Sequence, residues 1–277
     1  MKKVSILYHP MKEAAQTLAR NVAGLLDRRG VSSVVCSAFE WEQVKAQITG
    51  TDWVITIGGD GTILRAAQAV VEQPIPITGI NLGKLGFMTE LSVDEAMAQL
   101  PALLAGKGWL DERHLLEAEL TLPGEKAVRK FYALNDVVVA RGAVARMIHV
   151  KATIDGETLA TYRADGVILA TATGSTGYAL ATGGPILHPQ AEEFLLAPVL
   201  PHLSLAYPLV LPSATTVGLH LTTLHPATLS IDGHINLPLP DGAIITIKHS
   251  TSIIQFLRVH RESFYGSLER RLRGKIE

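Results

Sequence analysis

Between Trp53 and Leu64 the chain reads WVITIGGDGTIL, and this dozen constrains the fold more than any other stretch. Val54–Ile57 is an apolar run of strand length, and it stops at Gly58-Gly59-Asp60-Gly61-Thr62. Helical spacing begins at once, with Ile63, Leu64, Ala66, Ala67, Val70 and Val71 on one face. Three glycines around one acid let the backbone turn tightly and approach a ligand where a Cβ would intrude. The first N–H groups of the following helix are unpaired donors at the positive end of its dipole, a setting suited to phosphate. A tight structural turn alone would give Asp60 nothing, because a charge among glycines gains nothing from packing. Asp60 therefore reads as a carboxylate beside a phosphate site, fit to handle a hydroxyl proton or a metal ion.

The first hundred residues alternate strand and helix patterns around this turn. Val4–Tyr8, Val34–Cys36, Val54–Ile57 and Ile75–Ile80 are strand candidates. Ala14, Ala15, Leu18, Val22, Leu25 and Leu26 mark a helical face closed by Gly30 at C′. Such alternation predicts a parallel sheet flanked by helices, with ligands at the carboxyl ends of the strands. Ser92 is read as the cap of a further helix, with Pro101 interrupting or ending it. From about Leu110 the texture changes to short β runs: Leu115–Leu122, Phe131–Ala140, Ile148–Ile154, Val167–Thr171, Leu203–Leu211, Val217–Thr222, Thr228–Ile231 and Ile244–Ile247. Asp155-Gly156 and Asp241-Gly242 are hairpin candidates. Phe264, Leu268 and Leu272 lie at i, i+4 and i+8 of a closing amphipathic helix. The expectation is an α/β N-terminal domain over 1–108, a β-rich, sandwich-like domain over 109–258 and a helix over 259–277 returning to the first.

Composition narrows the function classes. A formal net charge of -1 gives no electrostatic reason for nucleic acid or an anionic membrane surface. Cys36 is the single cysteine, so no internal disulfide forms, and its strand setting predicts a buried, inert thiol. The opening MKKVSILYHP is too short in its apolar run for a signal peptide or a membrane span, so the expectation is a soluble, cytoplasmic protein. The ten histidines show neither H-E-x-x-H nor paired ligand spacing, so no zinc site and no protein-held metal is predicted. Ser175 lacks the G-x-S-x-G setting of a hydrolase nucleophile, and G-x-G-x-x-G is missing after the opening strand.

Two further blocks carry chemistry. Asn135-Asp136 breaks the apolar pattern FYALNDVVVA, where both types are poor strand formers. The pair reads either as a ligand for ribose hydroxyls or a carboxamide, or as a bulge held by side-chain-to-backbone bonds. In YRADGVILATATGSTGYALATGGPILHP, residues 162–189, small residues and hydroxyls follow a strand and offer many N–H and O–H donors. A loop needing only flexibility would not hold Tyr178 there. Arg65, one turn into the helix after GGDGT, reads as facing either a phosphate or solvent.

Taken in order, Gly58–Thr62, NLGKLGF at 81–87, Asn135-Asp136, Asp165-Gly166, TGSTGY at 173–178 and GGPILHP at 183–189 resemble the ATP-dependent NAD kinases of bacterial type. GGDGT alone also occurs in diacylglycerol- and sphingosine-type lipid kinases, and phosphofructokinases carry a related GGDG. The resemblance implies transfer of the ATP γ-phosphoryl group to the 2′-hydroxyl of the adenosine ribose of NAD, giving NADP. It implies Mg²⁺ or another divalent cation with ATP, and a homodimer or homotetramer. The family's catalytic acid falls on Asp60. Its NAD-binding positions fall on Asp60, Gly61, Asn135, Asp136, Arg146, Arg163, Asp165, Thr176, Gly177, Tyr178, Ala179, Leu180 and Ala181. Thr173 opens the same segment, His234 ends an acid-glycine turn near the ligand, and Arg65 matches a basic position near phosphate. The family usually reads T-P-T-G-S-T-A-Y, whereas here Ala172 replaces the proline and Gly177 the alanine. A lipid kinase and a non-catalytic dinucleotide sensor stand as alternatives, and the donor is either ATP or inorganic polyphosphate.

Overall fold

Continuous apolar runs bounded by turn residues become four fully paired parallel strands, in the order Ser32–Ser37, Lys3–Tyr8, Trp53–Ile57, Ile77–Asn81. Every residue of Trp53–Ile57 and Ile77–Asn81 is buried, as strands covered by helices on both faces require. Leu91–Ser92 adds to Ile77–Asn81 at its carboxyl end, and Phe256 pairs with Ile77. The computed structural model describes residues 1–83, 86–143, 146–202, 207–261 and 263–276. They form two compact units, Met1–Glu112 with Ile254–Glu277, and Arg113–Ile253.

In the first unit, helix Glu13–Asp27 turns Ala15, Leu18, Ala19, Val22, Leu25 and Leu26 inward. Gly30, at φ 71°, closes it: its N–H donates to Asp27 O (2.8 Å) and the Val31 N–H to Leu26 O (3.1 Å). That is the paired-bond ending for which glycine at C′ is suited. Ser92 and Glu95 form a reciprocal capping box at the start of Val93–Leu104. Pro101 does not stop this helix, which runs on to Leu104. The proline forfeits one N–H bond, while burial of Ala96, Leu100 and Leu103 on the same face holds the last turn. The final helix spans Phe264–Ile276, and the Arg271 guanidinium donates to Gly86 O.

The second unit is a sandwich of antiparallel strands. One sheet is ordered Leu209–Leu211, Phe194–Val199, Gly166–Ala170, Asp136–Arg141, Ala227–Ile231, Ile235–Leu239. The facing layer includes Glu157–Ala164, Ile148–Ile154, Thr216–Thr222 and the first half of Ile244–Arg258, with Val128–Ala133 paired to Trp109–Thr121. Val137, Val139, Leu169, Phe194, Leu229, Val150, Leu219 and Ile245 fill the core between them. The alternate residues of the six-stranded sheet face outward, where Val138, Ile168, Leu195 and Ala197 pack with Ala179.

Several sequence expectations change here. The run Phe131–Ala140 is two strands, Val128–Ala133 and Asp136–Arg141, and the chain passes from one sheet to the other at Leu134–Asn135. Asp155-Gly156 is a hairpin turn, with φ of 50° and 88° between Ile148–Ile154 and Glu157–Ala164. Asp241-Gly242 is not. Ile235–Leu239 pairs back on Ala227–Ile231, while Ile244 onward pairs with Thr216–Thr222. The Gly242 N–H instead donates to Leu221 O (3.0 Å), and Asp241 accepts from the Thr223 N–H (2.8 Å), so the turn transfers the chain between sheets. Of the expected strand Leu203–Leu211, residues 203–206 lie outside the described residues and Leu209–Leu211 is strand. Ile244–Ile247 opens a strand that continues to Arg258. No described helix is long and apolar enough to cross a membrane.

Candidate active site

In the strand order of the first unit the connections reverse direction between Lys3–Tyr8 and Trp53–Ile57. The crevice at the carboxyl ends of such strands is the favoured ligand position of an open α/β sheet. His9 and Gly58-Gly59-Asp60 stand there, joined by the His9 N–H donating to Ile57 O (2.9 Å). Gly59 is the N-cap and Asp60 the first residue of helix Asp60–Val70. The glycines have different duties. A Cβ on Gly58 would lie 2.2 Å from Thr62 Oγ1, so that position is closed to side chains, whereas Gly59 and Gly61 face open space. Ligand room therefore lies on either side of Asp60.

Asp60 is half-buried, and its carboxylate is fixed by backbone: Oδ2 accepts from the Phe87 N–H (3.0 Å) and Oδ1 from the Met88 N–H (3.1 Å). A Cβ on Gly86 would fall 2.2 Å from Asp60 Oδ1, so the second glycine of NLGKLGF is what lets the loop close on the acid. Behind the loop is a buried brace. Arg258 Nη1 donates to Met88 O (3.0 Å) and to Glu90 Oε2 (3.2 Å), while Nε donates to Asp111 Oδ2 (3.0 Å). Glu90 Oε1 in turn accepts the N–H groups of Val259 and His260 (2.8 Å each). This brace carried no motif, since Glu90, Asp111 and Arg258 are scattered charges in the sequence. Arg65 is partly exposed: its guanidinium lies 4.0 Å over the Phe39 ring, and partial burial lowers its pKa. Lys84 and Leu85 of NLGKLGF lie outside the described residues.

In the second unit, a cleft of about 440 Å³ opens on the outer face of the six-stranded sheet. Asn135, Asp136, Val138, Ala140, Tyr178, Thr228, Ser230, Asp232, Gly233 and Asn236 line it. Asp136, Val138 and Ala140 share that face because strand side chains alternate, as do Thr228 and Ser230. Asn135 sits at the corner between sheets, its Oδ1 buried without a hydrogen-bond partner. Burial, reinforced by the neighbouring Asp232 carboxylate, pushes Asp136 up to about 7. Asp232 explains the corner: at φ 50° it accepts from the N–H groups of Leu134 (3.0 Å), Asn135 (2.7 Å) and Asp136 (3.1 Å).

The block after Gly166–Ala170 is ordered rather than loose. Thr173–Thr176 is a 3-10 turn and Tyr178–Ala181 a single helical turn. A Cβ on Gly174 would meet Asn135 O at 2.0 Å, so glycine there brings the turn against the corner. At Gly177 a Cβ would sit 3.1 Å from Gly174 O and 3.8 Å from Asn135 Nδ2 and Asp136 Oδ2. Tyr178 is exposed in the cleft, Ala179 is buried in the outer apolar layer, and Leu180 and Ala181 complete the turn.

Other sequence candidates stand apart from the cleft lining. Thr173 and Thr176 are buried, Thr173 Oγ1 accepting from Arg113 (3.5 Å) and Thr176 Oγ1 donating to Thr173 O (3.3 Å). The Asp165 carboxylate is paired with Arg141 Nε (2.8 Å). Arg146 and Arg163 are exposed, and His234 Nδ1 is 3.2 Å from Asp232 O on the hairpin turn. The sequence placed Asp232 in the acid-glycine turn before His234 without a role of its own, and no motif marked a site at Thr228, Ser230 and Asn236. Their signal was present in the alternation of Thr228 and Ser230 with buried Ala227, Leu229 and Ile231 ahead of an acid-glycine turn.

A glycine-acid turn opening a helix at a sheet crevice, with a separate polar cleft on a β-sandwich, is the equipment of a nucleotide-dependent phosphotransferase. Comparison with known proteins makes the class specific. Residues 40–108 match the model of the ATP-NAD kinase N-terminal domain and residues 134–259 that of the ATP-NAD kinase C-terminal domain. The chain is 48% identical to an NAD kinase of Dehalococcoides mccartyi over 278 residues, covering 100% of this chain and 98% of the relative. It is 38% identical to an NAD kinase of Chloroflexus aurantiacus, covering 99% of each. Among solved structures it is similar to yeast NADH kinase complexed with NADH (TM-score 0.85, 25% identity, 100% of this chain and 87% of that one). It is also similar to an NAD kinase from Archaeoglobus fulgidus in complex with ATP (TM-score 0.80, 26% identity, 98% and 99%). The chain belongs to the ATP-NAD kinase family. Its activity is that of an NAD kinase, which sets aside both the lipid-kinase and the sensor alternatives.

Proposed function

We propose that this chain transfers the γ-phosphoryl group of ATP to the 2′-hydroxyl of the adenosine ribose of NAD, with Asp60 as the catalytic acid-base residue. The observation that carries this is the Asp60 carboxylate itself, held by two backbone N–H groups at the first turn of a helix with open space beside Gly59 and Gly61. Each carboxylate oxygen has a second lone pair, so the group accepts a hydroxyl proton, or orients that hydroxyl, without leaving its seat. A ribose hydroxyl is a weak nucleophile, and lining it up with the γ-phosphorus while removing its proton is the work required. The helix N-terminus and Arg65 favour the negative phosphates.

NAD is assigned to the cleft, where Asn135 offers both a donor and an acceptor, Asp136 a carboxyl and Tyr178 a ring face. Gly61, Arg146, Arg163, Asp165, Thr173, Thr176 and His234 are proposed around the bound dinucleotide. No group of three His, Cys, Asp or Glu able to hold a metal ion occurs among the described residues. Mg²⁺ is ordinarily held by substrate phosphates with one or two carboxylates, and here Asp60 would be the carboxylate offered. Mg²⁺ supplies charge neutralisation on the triphosphate. A cytoplasmic homodimer or homotetramer completes the reading.

The test is Asp60→Asn, assayed with NAD, Mg²⁺ and either ATP or polyphosphate, with NADP read by an NADP-specific dehydrogenase. Turnover should fall by about 10²–10⁴-fold while NAD binding by calorimetry changes little. Turnover near that of the parent enzyme would remove Asp60 from the chemistry.

A further inference from the structure

We propose that Asp232 is a positioning residue for dinucleotide recognition, setting the place of the Asn135-Asp136 corner on the cleft face. The proposal rests on the reading that NAD occupies the sandwich cleft.

Three successive N–H groups, those of Leu134, Asn135 and Asp136, converge on one carboxylate. Leu134 and Asn135 lie between the strands, where the chain changes sheets, and Asp136 only opens the second one, so the Asp232 carboxylate rather than a strand ladder takes these donors. Left unpaired in a buried place, each would cost about 1–3 kcal/mol. Asp232 is 6% exposed and sits at φ 50°, a conformation that only a few residue types adopt, on the turn between Ala227–Ile231 and Ile235–Leu239. Its own N–H donates to Asp136 O (2.9 Å), so the two acids are tied by backbone in both directions. The turn and the corner are thereby locked in register, and Asn135 and Asp136 are presented on the cleft face.

The same carboxylate acts on Asp136 through space. Burial is the larger reason that Asp136 holds its proton to higher pH than usual, and the Asp232 charge adds to it. His234, on the same turn, and Tyr178, in the cleft lining, are the further titratable groups near the pair. Below neutrality Asp136 is therefore a hydroxyl donor to ligand oxygens, and above it a carboxylate acceptor.

Asp232→Asn separates these roles. The amide oxygen still accepts backbone N–H groups, but the charge and one acceptor oxygen are gone. KM for NAD should rise about tenfold, from loss of one charge-assisted bond, with kcat and KM for ATP nearly unchanged. The inflection in the pH profile of KM for NAD should move to lower pH, because Asp136 has lost a neighbouring negative charge. A merely structural role would change both KM values with melting temperature and leave that inflection in place, and this result would overturn the proposal. If Asp232→Asn fails to fold, Asp136→Asn in an otherwise intact enzyme decides. NAD affinity that inflects near neutral pH in the parent and loses the inflection in that variant supports the pairing, and an inflection that persists refutes it. Failure of the underlying reading is distinguishable, since Asn236→Trp, which fills the cleft, would then leave NAD binding by calorimetry unchanged.

Discussion

Replacing Asp136 by Asn should stabilise the free enzyme increasingly as pH rises from about 4 to about 7 and fully above that. In the unfolded chain this carboxyl gives up its proton near its ordinary value of 3.8, whereas the folded protein keeps it until about 7. Between those values the unfolded state binds fewer protons, so rising pH favours unfolding, and the penalty is complete only above about 7. About three pH units at roughly 1.4 kcal/mol each set a ceiling near 4 kcal/mol, and water drawn toward the charge brings the expectation to about 2–4 kcal/mol. Asn imitates the protonated acid at every pH. The parent and variant should therefore melt alike only below about pH 4, and the variant should melt higher at pH 5 and higher still at pH 8, by roughly 2–4 °C for each kcal/mol. Ligand-free thermal melts of both proteins across that range provide the assay, and subtraction at each pH cancels every other titrating group. A difference that stays constant from pH 5 to 8 would refute the reasoning.

Two substitutions test the bracing of Asp60. Gly86→Ala puts a methyl group into the carboxylate, so kcat should fall more than about tenfold with NAD binding by calorimetry intact; parent-like kcat would show that the acid does not need this seat. Arg258→Ala strands Glu90 and Asp111 in a buried place and should cost about 3–5 kcal/mol in urea denaturation, a loss below about 1 kcal/mol being the contrary result.

Local chemistry was legible where one residue type had one physical use. GGDGT announced a strand-to-helix turn because an apolar run, three glycines and a helical face allow little else. Ser92, and Gly30 after Leu26, declared helix ends in the same way. Asn135-Asp136 was legible as an anomaly, but its cause lay 96–98 residues away in Asp232, and no local pattern reports a bond of that span. The Asp241-Gly242 reading failed for a related reason, since a turn signal says that the chain reverses but not which strand receives it. The cleft's Thr228, Ser230 and Asn236 look like ordinary solvent-facing strand residues until the sheet order sets them beside Asp136. Asp165 resembles a ligand residue in sequence, while the folded chain pairs it with Arg141.

The Arg258 brace also has a consequence in time. Met88 and Arg258 are 170 residues apart, so the guanidinium emerges from the ribosome long after the loop it supports. A polypeptide released short of that point carries the glycine turn and its aspartate but not the support behind them. Copies terminated before Arg258 thus leave translation with an unbraced Asp60, and the firm seat of that carboxylate arrives only once the chain has passed residue 258.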